Sequence, residues 1–172
     1  ALMMDNRPEF LFTVFGANKI GAVVSLINTY VAGEQLEHVL SICGAKWVLV
    51  GGEHVSTVHS LGEALPVGEE QLIVWTELAE HEVPSRAIHF NPAFDAAGNQ
   101  NPPSTATNEG EAPSVYIYTS GTTGFPKAAV YSNRRGLQSA WVFSRAAIGI
   151  TPDDVVYTSG LPLYHSSGLM LA

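Results

Sequence analysis

Through residue 75, short continuous apolar runs alternate with stretches in which apolar side chains recur every three or four positions. Ala1 to Met4 reads as the tail of a strand already under way. Asn6, Arg7 and Pro8 predict a helix start, a polar cap followed by proline in the first turn, and Phe10, Leu11, Val14 and Phe15 supply its apolar stripe. Gly21 ends that helix. Ala22 to Ile27 has the character of a buried strand, and Glu34 to Cys43 carries Leu36, Val39, Leu40 and Cys43 at helical spacing, with Gly44 as a left-handed stop. Lys46 to Val50 and Gln71 to Trp75 predict two more buried strands, separated by a weaker helical pattern from His54 to Leu65.

From Asp95 to Pro113 the chain turns to Asn, Gly, Pro, Ser, Thr and Glu, which predicts a surface loop. Ser114 to Tyr118 and Ala128 to Ser132 then predict strands around a Ser/Thr/Gly loop. A helix from Asn133 to Ile148 follows, with Leu137, Trp141 and Ile148 on a broad buried face beside Ala140, Phe143 and Ala147. Asp154 to Thr158 predicts a further strand leading into Leu161-Pro162-Leu163-Tyr164-His165. The expected class is α/β, mostly parallel sheet covered by helices, with ligands at the carboxyl ends of the strands. Three parts are expected: residues 1–94, a surface loop at 95–113, and 114–172. Leu169 to Ala172 begins an apolar segment and stops, so both ends read as truncations.

Composition narrows the partners. With 46% hydrophobic and 14% charged residues the chain is expected to be globular, and its net charge of −8 argues against nonspecific nucleic-acid binding. A phosphate-bearing ligand would have to be held by local backbone donors and a few chosen cations. The single cysteine, Cys43, lies on an apolar helical stripe, reads as core and fits a reducing, cytoplasmic compartment. No run approaches the roughly 20 apolar residues of a spanning helix, which leaves room for a peripheral membrane contact only. His38, His54, His59, His81 and His89 lack paired ligand spacing, so a zinc site is not expected.

The chemistry is concentrated between Tyr116 and Lys127. Every residue from Thr119 to Gly124 is Ser, Thr or Gly, and Phe125, Pro126 and Lys127 follow. Glycines let successive N–H groups converge on phosphate oxygens, the hydroxyls add compact donors, and Lys127 adds a positive charge. A simple hairpin turn would not call for this cluster. A GxxxxGK[ST] loop fails because Pro126 precedes Lys127 and Ala128 follows it. A G-x-S-x-G elbow fails because Tyr118 and Thr122 hold the glycine positions around Ser120.

The string TSGTTGFPK resembles the phosphate-binding signature of the acyl-adenylate-forming (AMP-binding) superfamily, which includes acyl-CoA synthetases, luciferases and peptide-synthetase adenylation domains. NRPEFLFTVFGANKIGAVVSLINT, from Asn6 to Thr29, resembles the front of these enzymes, and LPLYHSSGLM, from Leu161 to Met170, resembles their next motif. Ala128-Ala129 and the LPLYHSSG wording look most like the very-long-chain acyl-CoA synthetase and fatty acid transport protein branch. The resemblance implies part of an N-terminal domain that activates a long- or very-long-chain fatty acid with ATP, giving an acyl-adenylate and then a coenzyme A thioester. Thr119, Ser120, Gly121, Thr122, Thr123, Gly124 and Lys127 would contact the β- and γ-phosphates, Thr119 would also help hold Mg²⁺, and His165 would line the acyl and adenylate pocket.

One departure is visible: Ser132-Asn133-Arg134 stands where family members commonly have Ser or Thr, His, Arg. Asn133 is read as a helix N-cap replacing that histidine structurally. By the same resemblance the Thr-Glu adenine and magnesium motif, the ribose-binding aspartate, the hinge and the distal catalytic lysine lie outside this chain. The chain alone is therefore expected to bind ATP poorly and turn over nothing. A noncatalytic nucleotide-binding scaffold, or adenylation of an amino or aryl acid, is the alternative.

Overall fold

The computed structural model describes residues 1–76, 83–119, 124–156 and 160–171. Seven strands form one sheet in the order β5-β4-β3-β1-β2-β6-β7. They are β1 (Leu2–Met3), β2 (Val24–Leu26), β3 (Val48–Gly51), β4 (Leu72–Trp75), β5 (Ile88–His89), β6 (Pro113–Thr119) and β7 (Lys127–Ser132). Every neighbouring pair is parallel except β6 and β7. The helices are α1 (Pro8–Lys19), α2 (Gly33–Ile42), α3 (Val55–His59), α4 (Phe90–Asp95), α5 (Asn133–Trp141) and α6 (Ser166–Leu171). None of the described helices is long and apolar enough to cross a membrane.

A parallel sheet needs cover on both faces, because its crossover connections place helices there. Successive side chains therefore enter two different cores. Met3, Val48, Val50, Leu72 and Val74 join Leu36, Val39 and Leu40 of α2 and Val55 and Val58 of α3. Leu2, Met4, Leu49, Trp75, Val115 and Ile117 join Phe10 and Val14 of α1 on the other face, with Leu163 beside them. This two-sided burial is the reason the strands read as unbroken apolar runs.

Turn chemistry follows expectation at Gly21 and Gly44, whose φ angles are 75° and 58°. Such angles suit glycine because a Cβ would crowd the neighbouring carbonyl. Pro8 opens α1 as expected, but Asn6 does not cap it; its amide acts elsewhere, as described below. On α1, Phe10 is fully buried while Phe15 is 55% exposed, so the apolar stripe is narrower than its sequence suggests. The stretch from His54 to Leu65 is broken into α3 and flanking 3₁₀ turns, with Gly62 at φ 53° interrupting it. The loop after Asp95 lies exposed and is pinned to the end of α1, where Ser104 Oγ donates to the Lys19 carbonyl at 2.9 Å and Asn108 Nδ2 to that of Asn18.

Three expectations fail after β7. Leu137, Trp141 and Ile148 are 74%, 64% and 55% exposed rather than buried. The half-buried residues of α5 include the small Gly136, Ser139 and Ala140, and the helix continues as a π-helical stretch from Val142 to Ile148. Periodicity identifies an apolar face but not what covers it. Asp154 to Val156 is not strand; the Asp154 carboxylate accepts from Thr151 N at 2.7 Å and Thr151 Oγ1 at 2.8 Å, closing a turn that competes with extended structure. Tyr157 and Thr158 lie outside the described residues. Ser132, not Asn133, caps α5: its Oγ accepts from Arg135 N at 3.2 Å, and Asn133 Nδ2 donates to the Glu109 carbonyl at 3.0 Å.

Replacing Phe10 with Ala is expected to lower stability by about 3–5 kcal/mol through the cavity it leaves. Phe15→Ala should stay within about 0.5 kcal/mol. Urea unfolding of both variants checks the contrast, and equal losses would contradict the one-sided packing of α1.

Candidate functional site

Among the described residues, β6 and β7 are the only antiparallel neighbours, and they place the ends of the Ser/Thr/Gly segment opposite one another. Thr119 pairs with Lys127, and Tyr118 with Ala128. Thr119 is the last residue of β6, at the carboxyl edge of the parallel strands, and it is exposed. Lys127 opens β7, also exposed. Among the described residues, neither the Thr119 hydroxyl nor the Lys127 ammonium has a hydrogen-bond or ion-pair partner. Gly124 is exposed and holds φ at 123°, a conformation that L side chains rarely adopt. Ser120, Gly121, Thr122 and Thr123 lie outside the described residues. The arrangement puts a hydroxyl, a glycine bend and an ammonium at one end of a hairpin, donors without acceptors among the described residues, which suits a polyanion.

The base of the hairpin is tied inward. Ser25 on β2 is 4% exposed, and its Oγ lies 2.8 Å from Tyr118 Oη. Tyr118 Oη donates to the Val39 carbonyl of α2 at 3.0 Å, so it must take the Ser25 proton as acceptor. Burial pushes the Tyr118 phenol well above its usual range, against a smaller opposing effect of the Ser25 hydrogen bond. The ring of Phe125 stacks on His38 of α2, centroids 4.6 Å apart and planes at 27°.

His165 is exposed and sits just before α6, where its carbonyl accepts from Leu169 N at 3.0 Å. Its segment docks above the end of β1 through Asn6: Nδ2 donates to the Leu161 carbonyl and Oδ1 accepts from Leu163 N, each at 2.8 Å. Leu163 is 7% exposed and enters the α1-side core. The Tyr164 hydroxyl is raised by burial first, then by Tyr30, against a hydrogen bond from Thr29, and by Asp5. The LPLYH segment therefore meets the residues that follow β1 and β2, at the same edge of the sheet as Thr119.

Beside Asn6, sequence reasoning missed a polar cluster. Arg7 pairs with Glu53 at 3.1 Å and stacks on Trp75 at 4.1 Å from the ring centroid. Asp5 N donates to Glu53 at 3.0 Å, and His54 Nε2 lies 3.0 Å from Asp5 Oδ1. Asp5, Glu53 and His54 have the donor types of a cation site. The Arg7 guanidinium already holds the Glu53 carboxylate, so the cluster reads as a brace. Chain spacing could not reveal it, since Asp5 lies 48 and 49 residues from its partners. Cys43 is half-buried and donates to the Leu40 carbonyl at 3.2 Å. An apolar cavity of about 800 Å³ lies towards the opposite, amino edge of the strands, lined by Phe12, Ile20, Trp47 and Phe94.

The mouse (Mus musculus) long-chain fatty acid transport protein 6 is 35% identical to this chain over 176 residues, covering 99% of the chain and 27% of that protein. A medium/long-chain-fatty-acid–CoA ligase, FadD6, from Mycobacterium tuberculosis is 30% identical over 171 residues, covering 99% and 26%. The chain thus spans about a quarter of the length of these relatives. Its fold is similar to that of an acyl-CoA synthetase from Brucella canis, with a TM-score of 0.80 at 24% identity over 98% of the chain and 29% of that structure. The family described as AMP-binding enzyme matches residues 1–172. With a mostly parallel α/β sheet and a Ser/Thr/Gly hairpin at its carboxyl edge, the chain belongs to the AMP-binding enzyme family.

Proposed function

We propose that the polypeptide carrying this chain is an AMP-forming fatty acid–CoA ligase, and that residues 114–172 supply its triphosphate contacts. The observation that carries this reading is the pairing of Thr119 with Lys127 across the hairpin, in a chain whose relatives include fatty acid–CoA ligases. A carboxylate oxygen attacks the α-phosphorus of ATP, the bond to pyrophosphate breaks, and an acyl-adenylate forms. The thiolate of coenzyme A then attacks the acyl carbon, and AMP leaves.

Lys127 offsets the negative charge that grows on the leaving pyrophosphate oxygens, an effect that acts in the transition state. Thr119 and the backbone beyond it hold the phosphates in register, with Gly124 allowing close approach; Ser120, Gly121, Thr122 and Thr123 complete the contacts. The exposed Thr119 hydroxyl is a hard oxygen of the kind Mg²⁺ accepts beside phosphate oxygens, and the ion would supply further charge neutralisation. His165 lines the acyl and adenylate pocket, a role that needs no proton transfer. Coenzyme A and the fatty acid bind mainly to residues outside this chain.

Carboxylate-dependent exchange of pyrophosphate into ATP, measured on the complete open reading frame, is expected to fall by roughly 10- to 1000-fold in Lys127→Ala. Unchanged exchange would remove Lys127 from the phosphate site. In a panel scored by AMP release, long-chain fatty acids should outrun aryl and amino acids. Preference for an aryl or amino acid would reassign the substrate, and no turnover with any acid would favour a noncatalytic nucleotide-binding scaffold.

A further inference from the structure

The two sides of the phosphate hairpin are fastened to consecutive residues of one helix. On the β6 side, Tyr118 Oη reaches the Val39 carbonyl at 3.0 Å while accepting from the buried Ser25. Beyond the hairpin's bend, Phe125 stacks on His38 with ring centroids 4.6 Å apart. Tyr118 immediately precedes Thr119, and Phe125 lies two residues before Lys127. A half-exposed phenylalanine gains little from hydrophobic burial alone, and a stacked imidazole gives it a defined place.

Helix α2 is itself packed into the core. Leu36, Val39 and Leu40 are 0%, 2% and 1% exposed, so the helix is anchored by close packing against β1, β3 and β4. A rigid helix holding both sides of a hairpin limits how far its two ends can shift relative to one another. Neither Tyr118 nor His38 needs to touch the nucleotide for this to matter, because charge stabilisation depends on donors being placed before the reaction begins.

We propose that α2 is the positioning platform of the phosphate hairpin, with His38 and Tyr118 as positioning residues that set the placement of Thr119 and Lys127. The inference rests on the ligase reading for its consequence but not for its geometry.

The test uses the complete reading frame with His38→Ala, His38→Phe and Tyr118→Phe. Amide hydrogen exchange across residues 113–132 should accelerate in His38→Ala and Tyr118→Phe and return to the wild-type rate in His38→Phe, which keeps a stacking ring. The KM for ATP should rise roughly threefold to tenfold in the first two variants, in line with the loss of one aromatic pair or hydrogen bond, while the KM for the carboxylate stays unchanged. Wild-type amide exchange in His38→Ala overturns the proposal, and so does a matching rise in both KM values or an acceleration spread over the whole chain. If the wild-type protein exchanges no pyrophosphate, the ligase reading fails, and the hydrogen-exchange comparison still decides the positioning role.

Discussion

Everything in this molecule follows from a sheet buried on both sides. Strands β1 to β6 run parallel, so each crossover must return along a face, and the central strands β1, β3 and β4 feed apolar side chains to two cores at once. The same geometry brings the carboxyl ends of all these strands to one edge. β7 breaks the rule, and the break is productive. Only an antiparallel partner can be joined through a short loop, and that loop brings Lys127 back opposite Thr119 at the carboxyl edge.

At that edge polar side chains take over from packing. Glu53 receives the Asp5 amide and the Arg7 guanidinium, and Arg7 lies flat on Trp75. The Arg7 and Glu53 side chains are 20% and 23% exposed, so their attraction is screened less than that of a surface pair. The pair stiffens the turn from which Asn6 projects. Asn6 in turn spends both ends of its amide on the LPLYH segment, which carries Tyr164 and His165. The ends of β3 and β4 are thereby linked in space to a distant stretch of the chain, since Asn6 and Leu161 are 155 residues apart.

The parts legible in the amino-acid pattern are those decided locally or by burial on both faces. β2, β3 and β4 are legible because nearly all their residues are buried and most join an apolar cluster. The Gly44 stop and the Pro8 start need only their own dihedral preferences. The Ser/Thr/Gly segment is contiguous, so the strands on either side of it are readable from the sequence. A polar residue at a helix start signals a cap, but the partners of Asn6 lie at Leu161 and Leu163. The same holds after β7, where Ser132 takes the cap and Asn133 reaches back to Glu109. Leu137 and Trp141 mark an apolar face, but exposure is a property of what stands opposite a helix, and local periodicity is blind to that.

Stability and placement are therefore carried by different residues. The apolar clusters contain nearly all the fully buried side chains, and none of the hairpin donors belongs to them. What flanks those donors is a set of directional contacts, Tyr118 to Val39 and Phe125 to His38, while Asn6 holds Leu161 and Leu163 of the neighbouring segment. Each is weak beside the burial of a phenylalanine, yet each has a fixed geometry that burial lacks. In a chain of net charge −8, an anionic ligand gains nothing from long-range attraction. Its hold must come from a few donors set at the right separation, so a shift of one anchor would affect binding while leaving the cores intact.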